Sequence, residues 1–224
     1  MLPGVPNHSF IVRFRPTGPW RFGPDSGARD RVDLVYHSDA VFSAVSSAMN
    51  RLGMLEAWLD ATARSQHGPA VRLSSFYPFQ GSHLLVIPPR SLWPPPDSTK
   101  VRYKGARFVP LSLVESMLSG VEIDEGRWLV DGESECLIPS DRNAPAAGPF
   151  RMAVRSNAGV DRLEHGKALV HSTACLEFAR DAGLWTAVIF AGEEQRSQWE
   201  EPVRAALRYL ADSGFGGEDR KSVV

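Results

Sequence analysis

Three groups of residues in this 224-residue chain have the types and spacing to handle an anion or a nucleic acid. The first is the turn Gly214-Phe215-Gly216-Gly217-Glu218, which follows an amphipathic stretch. Glycines at this density allow positive φ and let a ligand reach the peptide N–H groups with no Cβ in the way, which suits phosphate. The turn matches neither common nucleotide fingerprint, because a helix precedes it instead of a strand and no Gly-Lys-Ser/Thr follows. A glycine run in this position also serves as a plain helix C-cap. The second group is Asn157, Asp161 and Arg162, read as a loop after a strand. Asn and Arg can donate to phosphate or base edges, and Asp161 can hold Arg162 or accept from a ribose 2′-hydroxyl. The same three residues could equally close a surface turn. The third group is Tyr36-His37, the one pair with the makings of an acid and a base for cutting RNA. His37 immediately precedes a helix start, where it can stack on a base or simply lead into the cap.

Charge distribution says more than its sum. The net charge is −1, yet Arg13, Arg15, Arg21, Arg29 and Arg31 crowd the N-terminal region, while Glu115, Glu122, Asp124, Glu125, Asp131, Glu133 and Glu135 gather in the middle. That split is compatible with a basic face beside an acidic one. Arginine suits phosphate because its guanidinium is a rigid, weakly hydrated fork. Cys136 and Cys175 stand far apart with no Cys-x-x-Cys, which argues against a disulfide framework or a zinc site and reads as two packed thiols. No metal or cofactor is expected. No apolar run approaches the roughly 18 residues that cross a bilayer, and the N-terminus lacks the layout of a secretion signal, so the expectation is a cytoplasmic protein without membrane contact.

The elements that must position these groups follow from periodicity. His8 to Arg15 alternates, with Phe10, Val12 and Phe14 on one side and Arg13 and Arg15 on the other: a half-buried strand with a basic outer face. A long polar loop, Pro16 to His37, comes next. Ser38 is expected to cap a helix whose stripe is Val41, Phe42, Val45, Ala48, Met49 and Leu52, with Asp39 at the positive end of the dipole and Gly53 as the stop. A second short helix is expected from Leu55 to Ala63, then strands at Arg72–Phe79 and Leu84–Pro89. Trp93 to Lys104, with Pro94, Pro95 and Pro96, reads as a projecting arm. A helix is expected at Leu111–Leu118, and Glu133 to Gly148 reads as a mobile linker.

Towards the C-terminus, Arg151–Asn157 reads as a strand, and Leu169–Phe178 with Leu184–Phe190 as a hairpin. A helix with a capping box at Ser197 and Glu200 follows, although Pro202 would suit a first helical position. Trp199, Val203, Ala206 and Leu210 form its stripe. Strand, strand, helix and glycine loop make the second half of a ferredoxin-like unit whose last strand is expected to be missing. The final Asp-Arg-Lys-Ser-Val-Val matches one frame of a common sequencing adapter, so the C-terminal unit is expected to be truncated.

His8–Arg15, His37-Ser38-Asp39-Ala40-Val41-Phe42-Ser43-Ala44, Ser74-Ser75-Phe76-Tyr77-Pro78-Phe79, Arg155-Ser156-Asn157-Ala158-Gly159-Val160-Asp161-Arg162 and the glycine loop resemble, in this order, the RAMP subunit of the Csm (type III-A) CRISPR effector that holds the 5′ handle of the guide RNA (crRNA). The resemblance implies an α+β, ferredoxin-like (RRM-like) fold in two modified units, residues 1–148 with the proline-rich insertion and residues 149–224. It also implies a non-catalytic, RNA-binding role in antiviral defence, no cofactor, and assembly beside the large polymerase-domain subunit and the backbone RAMP subunit. The implied RNA-binding set is Arg13, Arg15, His37, Arg155, Asn157, Asp161, Arg162, Gly214, Gly216 and Gly217, with the proline-rich arm as a thumb-like insertion. Family members continue past the glycine loop to a further strand. Three other readings compete: a RAMP-type guide-processing endoribonuclease using His37 and Tyr36, the equivalent subunit of the Cmr subtype, and a protein-interaction module.

Overall fold

A computed structural model describes residues 8–23, 30–93, 103–140, 147–160, 168–214 and 222–223. Its elements are β1 (Ser9–Pro16), α1 (Ser38–Arg51), α2 (Leu55–Ala61), β2 (Val71–Leu73), β3 (Tyr77–Gln80), β4 (His83–Val86), β5 (Val109–Pro110), α3 (Leu111–Leu118), β6 (Trp128–Val130), β7 (Leu137–Pro139), β8 (Phe150–Val160), β9 (Ala168–Phe178), β10 (Ala182–Phe190), α4 (Glu193–Ser213) and β11 (Ser222–Val223). They form a mixed α/β protein with antiparallel sheets. Two compact units interleave along the chain: unit 1 is Met1–Gly18, Asp33–Tyr77 and Leu184–Val224, and unit 2 is Pro19–Val32 and Pro78–Gly183.

Unit 1 is organised by β10, a nearly continuous apolar run of the kind a central strand needs. β1 lies antiparallel on one side, from Ser9↔Ile189 to Phe14↔Leu184, and β2 on the other, from Val71↔Phe190 to Leu73↔Val188. β11 pairs with the outer side of β1 at Arg15↔Val223 and Pro16↔Ser222, giving the run β11-β1-β10, with β2 paired to β10 off this path. Strand alternation puts Phe10, Val12 and Phe14 on the same face as Val188, Thr186 and Leu184. Helix α4 lies on that face, with the Arg204 guanidinium 3.9 Å from the centre of the Phe10 ring, and α1 packs on α4. The hydroxyl of β10 is satisfied there: the buried Thr186 side chain donates to the Ser74 carbonyl at 3.0 Å. Beyond the sheet, Trp58 stacks on Phe42, meets Trp199 edge-on and donates Nε1–H to the Ser46 hydroxyl at 3.0 Å.

Several expectations change here. The strands β9 and β10 do not form a hairpin; β9 pairs with β8 along its whole length, while β10 joins the unit 1 sheet. β10 is buried along nearly its whole length, so its main-chain groups need strand partners at both edges, and β1 and β2 supply them. A strand does follow the glycine turn, in the form of β11. Helix α4 starts at Glu193, four residues before Ser197, with Gly192 as N-cap and Pro202 inside the helix. Glu200 is therefore not part of a capping box; its carboxylate accepts from Arg196 and Arg204 one turn to either side.

Unit 2 is built from local pairings. β3 and β4 join through Gly81-Ser82, with Gly81 at φ +55°, the left-handed conformation that such a tight turn demands. β5 leads directly into α3, and Tyr103, Ala106, Val109, Leu113, Val114 and Leu137 form the buried cluster beneath. The loop from Pro16 to His37 is not merely polar: Trp20 is fully buried, exchanges two backbone hydrogen bonds with Leu176 at 2.8 and 2.7 Å, and packs on Phe22 and Phe178. Nor is Glu133–Gly148 a linker throughout. It contains β7, with Ser134, Cys136, Leu137 and Ile138 buried. The residue Asp131 accepts from the Ser134 amide and hydroxyl, and Gly148 sits against both side chains so closely that a Cβ would overlap them. Of the proline-rich arm, Trp93 to Lys104, residues 94–102 lie outside the described residues; Trp93 and Tyr103, which flank them, stack at 5.5 Å.

Candidate nucleic-acid interface

In unit 1 the topology gathers candidate residues at one end of the sheet. Arg15 is exposed at the C-terminal end of β1, opposite Val223; Arg13, two residues earlier on the same face, stands opposite Trp185. A chain of rings leads from there to α1: Phe14 packs on Phe76 at 5.0 Å, and Phe76 on Tyr36 at 5.8 Å. His37 follows as the exposed N-cap of α1, its carbonyl accepting from Val41 at 2.9 Å. Because α4 runs back along the sheet, its C-cap Gly214, at φ +77°, precedes a strand that pairs with Arg15 and Pro16. Arg13, Arg15, His37 and Gly214 thus share one end of unit 1.

Helix α1 is capped differently from expectation. The N-cap is His37 instead of Ser38, and neither side chain caps the helix. The Ser38 amide instead donates to the Ser75 hydroxyl at 3.1 Å, so a residue 37 positions later holds the helix start. Sequence reasoning had Ser75 inside a motif but assigned it no role, since a cap supplied across the fold leaves no local signature. Tyr36 has its phenol pKa raised, by burial first and by Asp39 second, which makes it a weaker acid than free tyrosine.

In unit 2 the other candidates lie on the ribbon β8–β9. Asn157 is within β8, paired with His171, and not in a loop after the strand. Arg155 is exposed and donates to Glu177 at 2.8 Å; Arg151 binds the other oxygen of the same carboxylate at 2.9 Å. Those hydrogen bonds, from Arg155 first and Arg151 second, hold the Glu177 carboxyl below its usual range. One carboxylate between two guanidiniums leaves the cluster with excess positive charge. Asp161, Arg162, Gly216 and Gly217 lie outside the described residues. Both cysteines are buried and neither is in a disulfide, and burial pushes the Cys136 thiol up to about 12, so it is an inert packing group. Among the described residues no group of three His, Cys, Asp or Glu converges as a metal site, and no helix is long and apolar enough to cross a membrane.

No family model and no curated protein matches the chain. Solved structures do. A chain of the Csm3-Csm4 subcomplex in the type III-A CRISPR-Cas interference complex aligns over 95% of this chain and 68% of its own length, with a TM-score of 0.62 at 14% identity. A chain of the Csm1-Csm4 cassette in complex with cA4 aligns over 91% of this chain, with a TM-score of 0.57 at 18% identity. The cassette with AMPPNP gives 0.56 at 19% identity. The component that these assemblies share is Csm4. This chain is similar in fold to chains of those assemblies. This chain spans 66% of the length of the cassette chain in the cA4 complex. At these identities the correspondence carries fold and not individual side chains.

Proposed function

We propose that this chain is the non-catalytic RAMP subunit of a type III-A effector that holds the crRNA 5′ handle and docks the large polymerase-domain subunit and the backbone RAMP subunit. The observation that carries this reading is the Csm4-type fold along at least 91% of the chain, found in assemblies with Csm1 and with Csm3. The pairing of β1 with β11 and β10, and of β10 with β2, with α1 and α4 as the connections, supports a ferredoxin-like reading of unit 1. In this reading Arg13, Arg15, His37 and Gly214 meet RNA at one end of that sheet. Arg155, Asn157, Asp161 and Arg162 contribute from β8 and the segment after it, and Gly216 and Gly217 offer amides to phosphate. Recognition is of single-stranded RNA, by arginine forks and exposed amides.

The test is to incubate labelled repeat RNA carrying the handle with the protein, without divalent metal. Bound but uncut RNA, unaffected in length by His37→Ala, is the expected result. A metal-independent cut abolished by His37→Ala would replace the binding role with a nuclease.

A further inference from the structure

The ribbon β8–β9 of unit 2 is covered unevenly. Residues 173–176 of β9 are buried on both faces, whereas Arg151, Met152, Val154, Arg155 and Ser156 of β8 are exposed. The hydrogen bonds around the ribbon show which main-chain groups β8 turns outward. Leu176 exchanges its main-chain N–H and C=O bonds with Trp20, so its pair with Met152 is a non-hydrogen-bonded one, and the bond from Ala179 N–H to the Pro149 carbonyl has the same phase. Alternation therefore points the N–H and C=O groups of Arg151, Ala153 and Arg155 at β9 and those of Met152 and Val154 away from it. Among the described residues β8 pairs with β9 alone, and no group takes up the outward ones. The side chains follow the same division. Pairs in register share a face, so Met152 and Val154 lie beside Leu176 and Ala174, yet those two are buried while Met152 and Val154 are 61% and 70% exposed. The opposite face carries Arg151 and Arg155, with Glu177 as their one shared carboxylate.

We infer that the outer edge of β8 receives an extended segment of a partner protein, which adds to the ribbon as a further strand. Three features select that occupant. The outward amides and carbonyls of Met152 and Val154 need a main-chain partner at the same two-residue spacing, which a strand supplies and a helix does not. The residues of that strand opposite Met152 and Val154 are apolar, because they complete a face that is covered over β9 and bare over β8. A residue next to them bears Asp or Glu beside Arg151: two guanidiniums on one carboxylate leave the other face positive, and opposite charges across a strand pair stabilise it. A second copy of this chain fits less well. Antiparallel pairing that sets Met152 against Val154 would also set Arg151 against Arg155, and like charges directly opposite repel. RNA phosphates could accept from the amides but would leave the carbonyls and the two apolar side chains unserved.

The inference rests on the effector assignment only for where the partner is sought, among the large and backbone subunits. The experiment places the photo-crosslinker p-benzoylphenylalanine at Val154, on the open edge, and at Arg51, on the exposed side of α1, as a control. Each form is co-expressed with both subunits, and crosslinked peptides are identified by mass spectrometry. The expected result is a crosslink from position 154, at least about five-fold stronger than from 51, to one segment with alternating apolar residues and an Asp or Glu between them. In parallel, Met152→Pro deletes an outward N–H and no bond to β9, a change that an edge strand tolerates. It weakens assembly at least about ten-fold, Met152→Ala, which keeps the amide, loses at least about three-fold less, and the affinity of both for handle RNA stays within about two-fold. If the complex forms but Met152→Pro assembles normally and position 154 crosslinks no better than 51, the docking inference falls and the effector assignment stands. Equal losses from Met152→Pro and Met152→Ala would make the contact one of side chains and overturn strand addition. A crosslink between two copies of this chain, or loss of RNA affinity in Met152→Pro with assembly intact, would give the edge to that occupant and also overturn it. Should Met152→Pro fail to fold, the crosslink from 154 decides alone. If no complex forms with either subunit, both readings fail.

Discussion

The two units hold their candidate residues by opposite means. In unit 1, Arg13, Arg15 and His37 stand at the ends of elements that are buried along one side and joined by pairings between residues far apart in sequence, such as Ser9 with Ile189. In unit 2, Arg155 and Asn157 sit on a two-stranded ribbon whose Met152 and Val154 are 61% and 70% exposed. The placement of the first group therefore depends on global folding, whereas that of the second depends on one register, Arg151↔Glu177 and its successors.

Core truncation should divide the two regions most sharply. Phe14 is fully buried against Phe76, so Phe14→Ala should cost about 3–5 kcal/mol in urea unfolding, as buried Phe-to-Ala changes do. On the ribbon, Met152→Ser should stay within about 0.5 kcal/mol, in line with ordinary surface substitutions. Comparable losses from the two would dissolve the contrast. Next in size is Gly148→Ala, where a Cβ meets the Asp131 and Ser134 side chains; overpacking of this kind costs about 1–3 kcal/mol. A neutral outcome would mean that the Asp131–Ser134 turn yields readily.

A smaller effect is expected from Ser75→Ala, which removes the acceptor of the Ser38 amide: about 0.5–1.5 kcal/mol by thermal or urea unfolding. Ser38→Ala should cost less than Ser75→Ala, because its own side chain caps nothing. The reverse order would restore Ser38 as the cap.

The smallest effect concerns pH. Glu177 has its folded pKa lowered by Arg155 and Arg151, so its contribution is present above the unfolded value of about 4.3 and fades as pH falls through the lowered folded value. Wild type should therefore lose more of its melting temperature between about pH 5 and 3 than Glu177→Gln, which carries no titrating group there. Parallel curves would show that the pair contributes nothing measurable, as many exposed ion pairs do.

What could be read from the sequence follows the range of each interaction. β1 and most of the stripe of α1 were legible because alternation and helical spacing are local, although Leu52, expected in that stripe, is the exposed C-cap; α3 was legible too, and its limits match Leu111–Leu118. Strand identity at β9 and β10 was legible too, but not their partners, since pairing is decided by burial on both edges. The role of Glu200 could have been found from Arg196 and Arg204 at four-residue spacing; the capping-box reading took precedence only because the helix start was placed too late. Glu177 offered no such clue, because its arginines lie across a strand register. Trp20 lies in a loop rich in Gly and Pro whose composition signals a polar segment, and its two bonds to Leu176 exist only once that strand is in place.

The most direct test of the handle-binding account is the salt dependence of affinity for single-stranded RNA carrying the 5′ handle. Wild type and the Arg13→Ala/Arg15→Ala double variant would be titrated against that RNA and against the same nucleotides in permuted order. The account predicts tighter binding of the handle than of its permutation. It also predicts a log–log salt slope shallower by about 1.4 in the double variant, at roughly 0.7 per lost phosphate contact on a single strand. Equal affinity for both RNAs, together with an unchanged slope in a variant that folds normally, would contradict it.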